Sequence, residues 1–432
     1  MSLVHPVIVV PGITATYLRD EYPLPPEYIW TVIKKDYERV ALHPNNLRYE
    51  AREPARLMPG QIYEIAYEEL VEELRFNLRS KEEEPVPVYP FGYDWRMPLE
   101  DIEREFSDFV NEVMERTKIM KHYHRDGYSS APMVNLVGHS MGGLIITGYL
   151  ERLGTKAPVN KVVTLATPYQ GSFEAMIKVT TGTANLGTSP PSSRERESAR
   201  ITPALYYLLP SFSKGVEVAD PTVPTSLFDP GAWQPSVTDS IAEFIRTSGL
   251  PTTDRKKQAQ EIFSKLLENA KKHRARIDGF KLSNVGKTKD DFLVVTGVDA
   301  VTRVRIKIVK RGGVPDLELS SEDRMNKWAN TNPDVSRMTG DGTVPFEGAI
   351  PKFLGEENIV CVTPDDYGYW EIEDKALTRI GGFHGILPNM NMVHRLIVRF
   401  FTGKPDKHEN TWGRRIPGVT NWQPPLKLTE KS

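Results

Sequence analysis

Cysteine is almost absent from this chain of 432 residues, which contains only Cys361. A lone thiol forms no intramolecular disulfide and supplies no sulfur-ligated zinc cluster. Because disulfides accumulate in oxidising compartments, we expect a reducing, cytoplasmic location. The start of the chain agrees with this expectation, since an apolar strand-like run begins at Val7 with no signal-like segment before it.

Long apolar runs and an excess of one charge are also absent. The longest apolar stretches, near 7–10 and 144–146, are much shorter than the ~20 residues that span a bilayer. The 55 basic and 57 acidic residues give a net charge of -2, which provides no general attraction for nucleic acid. Neither a phosphate-binding glycine loop nor a cluster of metal ligands occurs, so we predict no cofactor, metal or nucleic-acid partner. The sequence carries no signal for an oligomeric state.

Short apolar runs alternate with amphipathic helical patterns such as 99–120 and 392–401. Each run ends in glycine, proline or a polar turn, as buried parallel strands do. The runs lie at residues 4–10, 86–89, 133–137, 162–165, 292–296 and 359–362. This alternation predicts an α/β fold with a mostly parallel central sheet and helices on both faces.

Two long segments, 17–85 and 171–290, interrupt the alternation. The first has a helical pattern near 63–78, and the second contains a Ser- and Pro-rich stretch at 188–193. Insertions of this length usually carry function or have structure of their own. We predict a core of residues 1–170 and 291–432, with 17–85 inserted over the site and 171–290 forming a cap or lid.

The sequence Gly138-His139-Ser140-Met141-Gly142 directly follows one apolar run and precedes a helical pattern. Gly-x-Ser-x-Gly at a strand-to-helix turn is the nucleophile elbow of α/β hydrolases, where side chains larger than glycine would clash with the neighbouring strand and helix. We therefore predict the α/β-hydrolase fold with Ser140 as nucleophile. The alternative is a chance Gly-rich turn.

A serine hydroxyl needs a base that accepts its proton, and in this fold the base follows the nucleophile along the chain. His384 lies on the Gly-rich loop 381–385 after the last apolar run, and we predict it as the base. Two other histidines come late enough. His394 falls in an amphipathic pattern that favours a histidine on a helix surface, and His408 lies in the polar tail.

The base in turn needs a carboxylate that holds its ring in the right tautomer. Asp341, between two glycines on a tight turn, is our predicted acid. Asp-Gly turns are common in proteins, and Asp299, nearer the end of the preceding apolar run, is the competing acid.

An oxyanion formed during ester cleavage needs two hydrogen-bond donors. We predict the backbone amide of Met141, next to the nucleophile, and the amide of Ile13 in the loop after the first apolar run. The alternative for that loop is an ordinary Pro-Gly turn without a role in chemistry.

Several motifs resemble, in order, those of lipases and of lecithin:cholesterol acyltransferase-type α/β hydrolases. They are the oxyanion loop at 9–12, Tyr93-Asp94-Trp95-Arg96, the elbow at 138–142, the lipase-like Thr-Pro-x-x-Gly-Ser loop at 166–172 and the acid loop at 340–345. The resemblance covers the catalytic core and implies that residues 17–85 contact membranes and that 171–290 form a cap. Secreted members carry disulfides, which this chain lacks. The Tyr93–Arg96 segment could equally order the following helix or line the substrate site.

Lysines and apolar residues share a helical pattern at 256–272. This pattern favours a cap helix packed on the core, and a helix lying on an anionic membrane is the alternative. Three functions stay open: hydrolysis of a lipid or other carboxylic ester through an acyl-enzyme, acyl transfer to an alcohol, and ligand binding by a non-catalytic scaffold. The large insertions favour an ester with a sizeable apolar chain.

Overall fold

A six-stranded sheet lies at the centre of the computed structural model, which describes residues 4–182, 192–369, 371, 373–374, 376, 378, 382–406 and 413–427. Its strands are β1 (Val7–Val10), β2 (Val88–Pro90), β3 (Val134–His139), β4 (Val159–Leu165), β5 (Phe292–Gly297) and β6 (Ile359–Val362). Their spatial order is β6-β5-β4-β3-β1-β2, and every neighbouring pair is parallel. All six apolar runs form this sheet, so the predicted fold class is confirmed.

Both faces of the sheet are buried, which explains why its strands are continuous apolar runs. Val7 and Val9 of β1 belong to the apolar cluster on one face, whereas Ile8 and Val10 belong to the cluster on the other face. Alternate residues of a strand point to opposite faces, so each face needs its own layer of helices.

Eight helices of nine or more residues and one helix of five residues, α6, lie around the sheet in the described part of the chain. They are α1 (Glu64–Leu78), α2 (Leu99–Lys118), α3 (Met141–Leu153), α4 (Phe173–Thr181), α5 (Ser193–Ile201), α6 (Pro203–Tyr207), α7 (Ser236–Ser248), α8 (Arg255–Asp278) and α9 (Asn391–Thr402). Further helices of four or five residues lie at Tyr37–Val40, Lys121–Arg125, Pro333–Ser336, Phe346–Ala349 and Phe383–Ile386. Within the described ranges, no helix combines the length and the apolar character needed to cross a membrane.

The 17–85 segment forms its own small sheet before it returns to the core. Three antiparallel strands pair in the order Glu27–Trp30, Thr16–Asp20, Leu57–Ile62. Outside the central sheet there are also short strands at Leu42–His43, Asn46–Glu50, Val216–Val218, Thr302–Arg303, Ile306–Arg311, Val314–Glu318 and Arg324–Met325. The helical pattern near 63–78 is confirmed as α1, whose Leu70 and Leu74 pack in the apolar cluster of β1 and β3.

Buried polar groups anchor the 17–85 segment to the core. Arg96 is 1% exposed and donates two hydrogen bonds to Asp94, at 2.9 and 2.6 Å, and one to Glu50 at 2.9 Å. A fourth, at 3.2 Å, goes to the carbonyl of Val40. Since Glu50 and Val40 both lie in the inserted segment, the Asp94–Arg96 pair fixes that segment against the start of α2.

The segment 171–290 is largely helical and packs on the core. The apolar side of α8, including Phe263 and Leu267, is buried, while its lysines face solvent. His273 and Arg276 of α8 bind the fully buried Glu103 of α2, at 2.8 and 3.1 Å. These contacts support the packed-helix interpretation of the 256–272 pattern. Most of the Ser- and Pro-rich stretch 188–193 lies outside the described residues, and the division at 171 and 290 stays a prediction.

His394 of α9 is buried, so the expectation of a histidine on the helix surface is wrong. Its side chain is 2% exposed, because position 394 falls between Met390 and Ile397 on the apolar side of the helix. Its Nε2 donates to the carbonyl of Pro388 at 2.7 Å. Burial lowers the pKa of His394 to about 4.

Replacement of His394 by glutamine should make folding less sensitive to acid. Above pH 6.5 the ring is neutral whether the chain is folded or unfolded; between pH 6.5 and about 4 only the unfolded chain binds the proton, so stability falls. The loss amounts to about 2–3 kcal/mol at pH 4.5. Glutamine can keep the bond to Pro388 without titrating. Urea unfolding at pH 7.5 and 4.5 measures the difference, and an equal acid loss in both proteins would contradict it.

Candidate active site

Ser140 occupies a strained turn between β3 and α3. Its backbone has φ 53° and ψ -126°, a conformation that non-glycine residues rarely adopt. The amide of Ser140 donates to the carbonyl of Leu165 on the neighbouring strand β4, at 2.8 Å. The sheet therefore fixes the turn at the carboxyl end of β3, and the side chain stands at the amino end of α3.

Two glycines allow this turn because other backbone groups approach them closely. A Cβ on Gly138 would lie 2.8 Å from the nitrogen of Gly143, and a Cβ on Gly142 would lie 2.2 Å from the carbonyl oxygen of Val10. Both distances are shorter than atomic contact permits. The steric reason predicted for these glycines is therefore present in the fold.

Ser140, His384 and Asp341 meet in one chain of hydrogen bonds. Ser140 Oγ lies 2.9 Å from His384 Nε2, and His384 Nδ1 lies 2.6 Å from Asp341 Oδ2. The amide of His384 also donates to the carbonyl of Asp341, at 3.0 Å. The three residues are 6%, 9% and 1% exposed, so the bonds are shielded from competing water.

The carboxylate of Asp341 is held from its other side by its own turn. Oδ1 accepts the amides of Thr343 and Val344, at 2.9 and 2.7 Å. Oδ2 is thereby left to face His384. Because a carboxylate can only accept, His384 Nδ1 carries a proton and Nε2 is free to accept one from Ser140.

The competing residues are engaged elsewhere or lie outside the described residues. Asp299 Oδ1 accepts a hydrogen bond from Asn326 at 2.8 Å rather than from His384. His394 is bonded to Pro388, as described above. His408 falls outside the residues that the structure describes.

Three aromatic side chains hold the loop that follows β1. Tyr93 Oη donates to the carbonyl of Pro11 at 2.8 Å, the amide of Gly12 donates to Tyr67 Oη at 2.9 Å, and Trp30 Nε1 donates to the carbonyl of Thr14 at 3.0 Å. The loop is therefore held on both sides of Ile13. A Cβ on Gly12 would lie 3.1 Å from the Ser140 Cβ, which places the loop directly beside the nucleophile.

The amides that could receive an oxyanion are few. Those of Gly12 and Ser140 are already used, by Tyr67 and by Leu165. The amides of Ile13 and Met141 make no hydrogen bond with any other described residue. Met141 is the first residue of α3, whose amino-terminal amides have no partners within the helix. Both predicted donors thus have no partner within the described residues; one follows Ser140 in the chain and the other follows Gly12, which lies beside Ser140.

The loop 166–172 braces the acid turn. Ser172 Oγ donates to the carbonyl of Thr343 at 2.6 Å, and the amide of Gln170 donates to the carbonyl of Gly348 at 2.8 Å. The lipase-like motif thus supports the turn that carries Asp341. These two bonds go to carbonyls of that region, and no hydrogen bond within the described residues joins the loop 166–172 to a side chain of the triad.

Tyr67 and His139, whose side chains lie 2.7 Å apart beside Ser140, were not predicted from the sequence to belong to the site. Tyr67 is an aromatic residue in an ordinary amphipathic helix pattern, and nothing in that pattern indicates a polar partner. His139 was visible as the residue before the nucleophile, but its contacts depend on segments far away in the chain. No group of metal-binding side chains is found in the described ranges.

The parallel sheet with helices on both faces and the turn that carries Ser140 have the α/β-hydrolase fold. Residues 59–263 match the lecithin:cholesterol acyltransferase family, which confirms the resemblance found in the sequence. The matched stretch includes Ser140 and the Tyr93–Arg96 motif, and it ends before Asp341 and His384. It supports an acyl-ester hydrolase or acyltransferase.

The chain is similar to solved structures at low sequence identity, and one of them has a TM-score above 0.5. A chain of the Tle4–Tli4 complex is 14% identical, with a TM-score of 0.53, over 81% of this chain and 89% of its own length. Phospholipase PlaB from Legionella pneumophila is also 14% identical, with a TM-score of 0.31, over 69% of this chain and 40% of its own. No curated protein matches the chain in sequence.

Asp341→Asn should slow the reaction of Ser140 with a fluorophosphonate by about 10⁴-fold. The amides of Thr343 and Val344 would hold the asparagine oxygen, so its NH₂ group would face His384. The imidazole would then carry its proton on Nε2 and could not accept one from Ser140.

Asp299→Asn is the matched control, because it removes the competing carboxylate. Its rate of labelling, followed by mass spectrometry of the intact protein, should stay within about twofold of the unmodified chain. A large loss in the Asp299 variant, with Asp341→Asn still reactive, would mean that the acid has been assigned to the wrong turn.

Proposed function

We propose that the chain is a serine hydrolase that cleaves carboxylic esters through an acyl-enzyme on Ser140. The observation that carries the proposal is the buried hydrogen-bond chain Asp341–His384–Ser140, with distances of 2.6 and 2.9 Å. It lies on an elbow whose backbone holds Ser140 at positive φ. Nucleophile, base and orienting acid are the groups that acyl transfer to serine requires.

The first half of the reaction acylates Ser140. As Oγ attacks the ester carbonyl carbon, its proton passes to His384 Nε2, and the carbonyl oxygen becomes an oxyanion between the amides of Ile13 and Met141. The C–O bond to the leaving alcohol then breaks, and His384 returns the proton to that oxygen. Each of the two amide donors would contribute about 3 kcal/mol to lowering the barrier.

The second half releases the acyl group. Water attacks the acyl carbon and gives a proton to His384, after which the bond to Ser140 Oγ breaks and Oγ is reprotonated. An alcohol in place of water would yield a new ester, so acyl transfer is the second candidate function. The family match supports that candidate, because the matched family is named after an acyltransferase.

A non-catalytic scaffold is the third alternative, and the geometry counts against it. A fold kept only for binding would have no need of a strained serine, a buried carboxylate and an imidazole in hydrogen-bond contact. Strain of about 1–3 kcal/mol at one residue persists where function uses it.

Ser140→Ala should abolish both turnover and covalent labelling. We expect turnover of a p-nitrophenyl ester to fall by about 10⁴- to 10⁶-fold, because the acyl-enzyme can no longer form. Peptide mass spectrometry of the unmodified chain should place a fluorophosphonate on Ser140 alone. Undiminished turnover in a folded Ser140→Ala variant would show that the chemistry lies elsewhere, and a lack of any turnover or labelling in the unmodified chain would favour the scaffold.

We further propose that the substrate is an acyl ester with a long apolar chain, which the protein takes from a lipid surface. Leu24 and Ile33 are 91% and 93% exposed, and Tyr22 is 61% exposed. Apolar side chains grouped on an exposed segment are typical of surfaces that contact membranes or partners. They lie on either side of the strand Glu27–Trp30 in the same inserted segment, and Trp30 of that strand donates to the loop beside Ser140. This bond supports the proposal that the segment brings lipid to the site.

Leu24→Ser with Ile33→Ser should impair hydrolysis at a lipid surface only. Loss of two exposed apolar anchors should lower the rate on a long-chain ester in phosphatidylcholine vesicles by about tenfold or more. The rate on a soluble butyrate ester should not change. Ile119→Ser is the matched control, since Ile119 is 84% exposed at the end of α2.

A series of soluble and dispersed esters of increasing chain length tests the same proposal in the unmodified chain. Turnover should favour the longer acyl chains. Much faster hydrolysis of short, soluble esters would contradict a lipid substrate, and equal effects of the Leu24/Ile33 and Ile119 changes would contradict the docking surface. Product analysis with added alcohol separates hydrolysis from acyl transfer.

A further inference from the structure

His139 is a buried histidine that the proposed mechanism does not use. It is 3% exposed and directly precedes Ser140. Its Nδ1 lies 2.7 Å from Tyr67 Oη, and its Nε2 lies 3.0 Å from the backbone carbonyl oxygen of His384. Tyr67 Oη in turn receives the amide of Gly12, at 2.9 Å. A continuous series of three hydrogen bonds thus runs from the loop after β1 to the loop of the base.

The protons of this series can be arranged in one way only. The carbonyl of His384 can only accept, so His139 Nε2 carries the ring proton. Nδ1 of the neutral ring is then an acceptor, and Tyr67 donates its hydroxyl proton to it. The remaining lone pairs of Tyr67 Oη accept the amide of Gly12. Every donor faces an acceptor, as a buried polar network requires.

Burial keeps both groups in the protonation states that this arrangement needs. It lowers the pKa of His139 far below its usual value, so that the ring stays neutral, and it raises the pKa of Tyr67, so that the phenol keeps its proton. A charged His139 would carry protons on both nitrogens, and Nδ1 could no longer accept from Tyr67. The three bonds are therefore stable at neutral pH.

The series ends on two loops that must be positioned together. At one end, the Pro11–Gly12 peptide is oriented so that its own amide faces Tyr67, which leaves the next amide, that of Ile13, unoccupied. At the other end, the backbone of His384 is held while its ring contacts Ser140. The rings of His139 and His384 also pack together, with centroids 4.9 Å apart.

We propose that Tyr67 and His139 are positioning residues that set the oxyanion loop and the His384 loop relative to each other. The proposal rests on the proposed function, because it assigns these residues a task in the same reaction. Displacement of a reacting group by about 1 Å can cost about 10²-fold in rate. We call the three hydrogen bonds from Gly12 through Tyr67 and His139 to His384 the relay. Loss of the relay should therefore raise the energy of the transition state and affect the binding of substrate much less.

Two substitutions of His139 divide the relay into its halves. His139→Gln places an amide nitrogen near the position of Nε2 and can still donate to the His384 carbonyl, but it offers Tyr67 no acceptor at Nδ1. His139→Asn places an oxygen near the position of Nδ1 and can still accept from Tyr67, but it does not reach His384. Tyr67→Phe removes only the hydroxyl and keeps the buried ring.

The experiment measures kcat and KM on a soluble ester for Tyr67→Phe, His139→Gln and the double variant. We expect Tyr67→Phe to lower kcat by about 10- to 100-fold with KM within about threefold. In the His139→Gln background the further loss from Tyr67→Phe should be much smaller, since the relay is already interrupted. Inhibition by an alkyl boronic acid, which mimics the tetrahedral intermediate, should weaken in parallel with kcat.

Tyr128→Phe is the matched control for the loss of a buried tyrosine hydroxyl. Tyr128 is 2% exposed and donates to the carbonyl of Met133 at 2.8 Å, before the start of β3. Its removal should lower the melting temperature as Tyr67→Phe does, with no change in kcat. The comparison separates a loss of stability from a loss of positioning.

Several outcomes would overturn the relay. They are an unchanged kcat in Tyr67→Phe, a rise in KM alone, and independent effects of the two substitutions. If Tyr67→Phe fails to fold, His139→Asn compared with His139→Gln still tests the two halves, and equal, negligible effects of both would end the proposal. Failure of the proposed function is distinct, since it would appear as an absence of turnover and of Ser140 labelling in the unmodified chain.

Discussion

The turn from β3 into α3 is the constraint on which the site depends. Ser140 is held at positive φ because its amide bonds to β4, while Gly142 lies against the carbonyl of Val10 in β1. The strands β1, β3 and β4 therefore all contact the turn that carries Ser140. A shift of any of them would move the hydroxyl relative to the imidazole, so the sheet acts as a rigid frame for a strained turn.

Around that turn, segments distant in sequence supply the remaining groups. Asp341 and His384 come from two loops after β5 and β6, and they bond through both side chain and backbone. The loop after β1 is held by Trp30, Tyr67 and Tyr93, two of which belong to the 17–85 insertion. That insertion is fixed to the core by the buried Arg96. The surface proposed to contact lipid and two of the side chains that hold the loop beside Ser140 thus belong to one segment of chain.

The sequence predicted well what depends on local patterns. Six short apolar runs became the six strands of the sheet, because strands buried on both faces have continuous apolar sequences. Ser140, Asp341 and His384 were each predicted on turns whose glycines are visible in the sequence. The structure brings the three side chains together, and their catalytic roles stay predictions.

Features that depend on distant contacts were not predictable. Tyr67 and His139 are 72 positions apart, and their hydrogen bond exists only once α1 packs on the sheet. His394 was assigned to a helix surface because a polar side chain in an amphipathic pattern indicates exposure, yet the carbonyl of Pro388 provides a buried partner. Arg96 anchors the insertion by donating hydrogen bonds to Glu50 and to the carbonyl of Val40. Neither of these two residues belongs to a recognisable motif, so the contact could not be predicted.

A crystal structure of the phosphonylated protein tests most directly how this site works. The proposed mechanism predicts phosphorus bonded to Ser140 Oγ, with the phosphonyl oxygen about 2.7–3.1 Å from the amide nitrogens of both Ile13 and Met141. The bonds of Tyr67, Tyr93 and Trp30 to the loop should be retained. An adduct on another residue, or an oxygen directed away from these two amides, would contradict it.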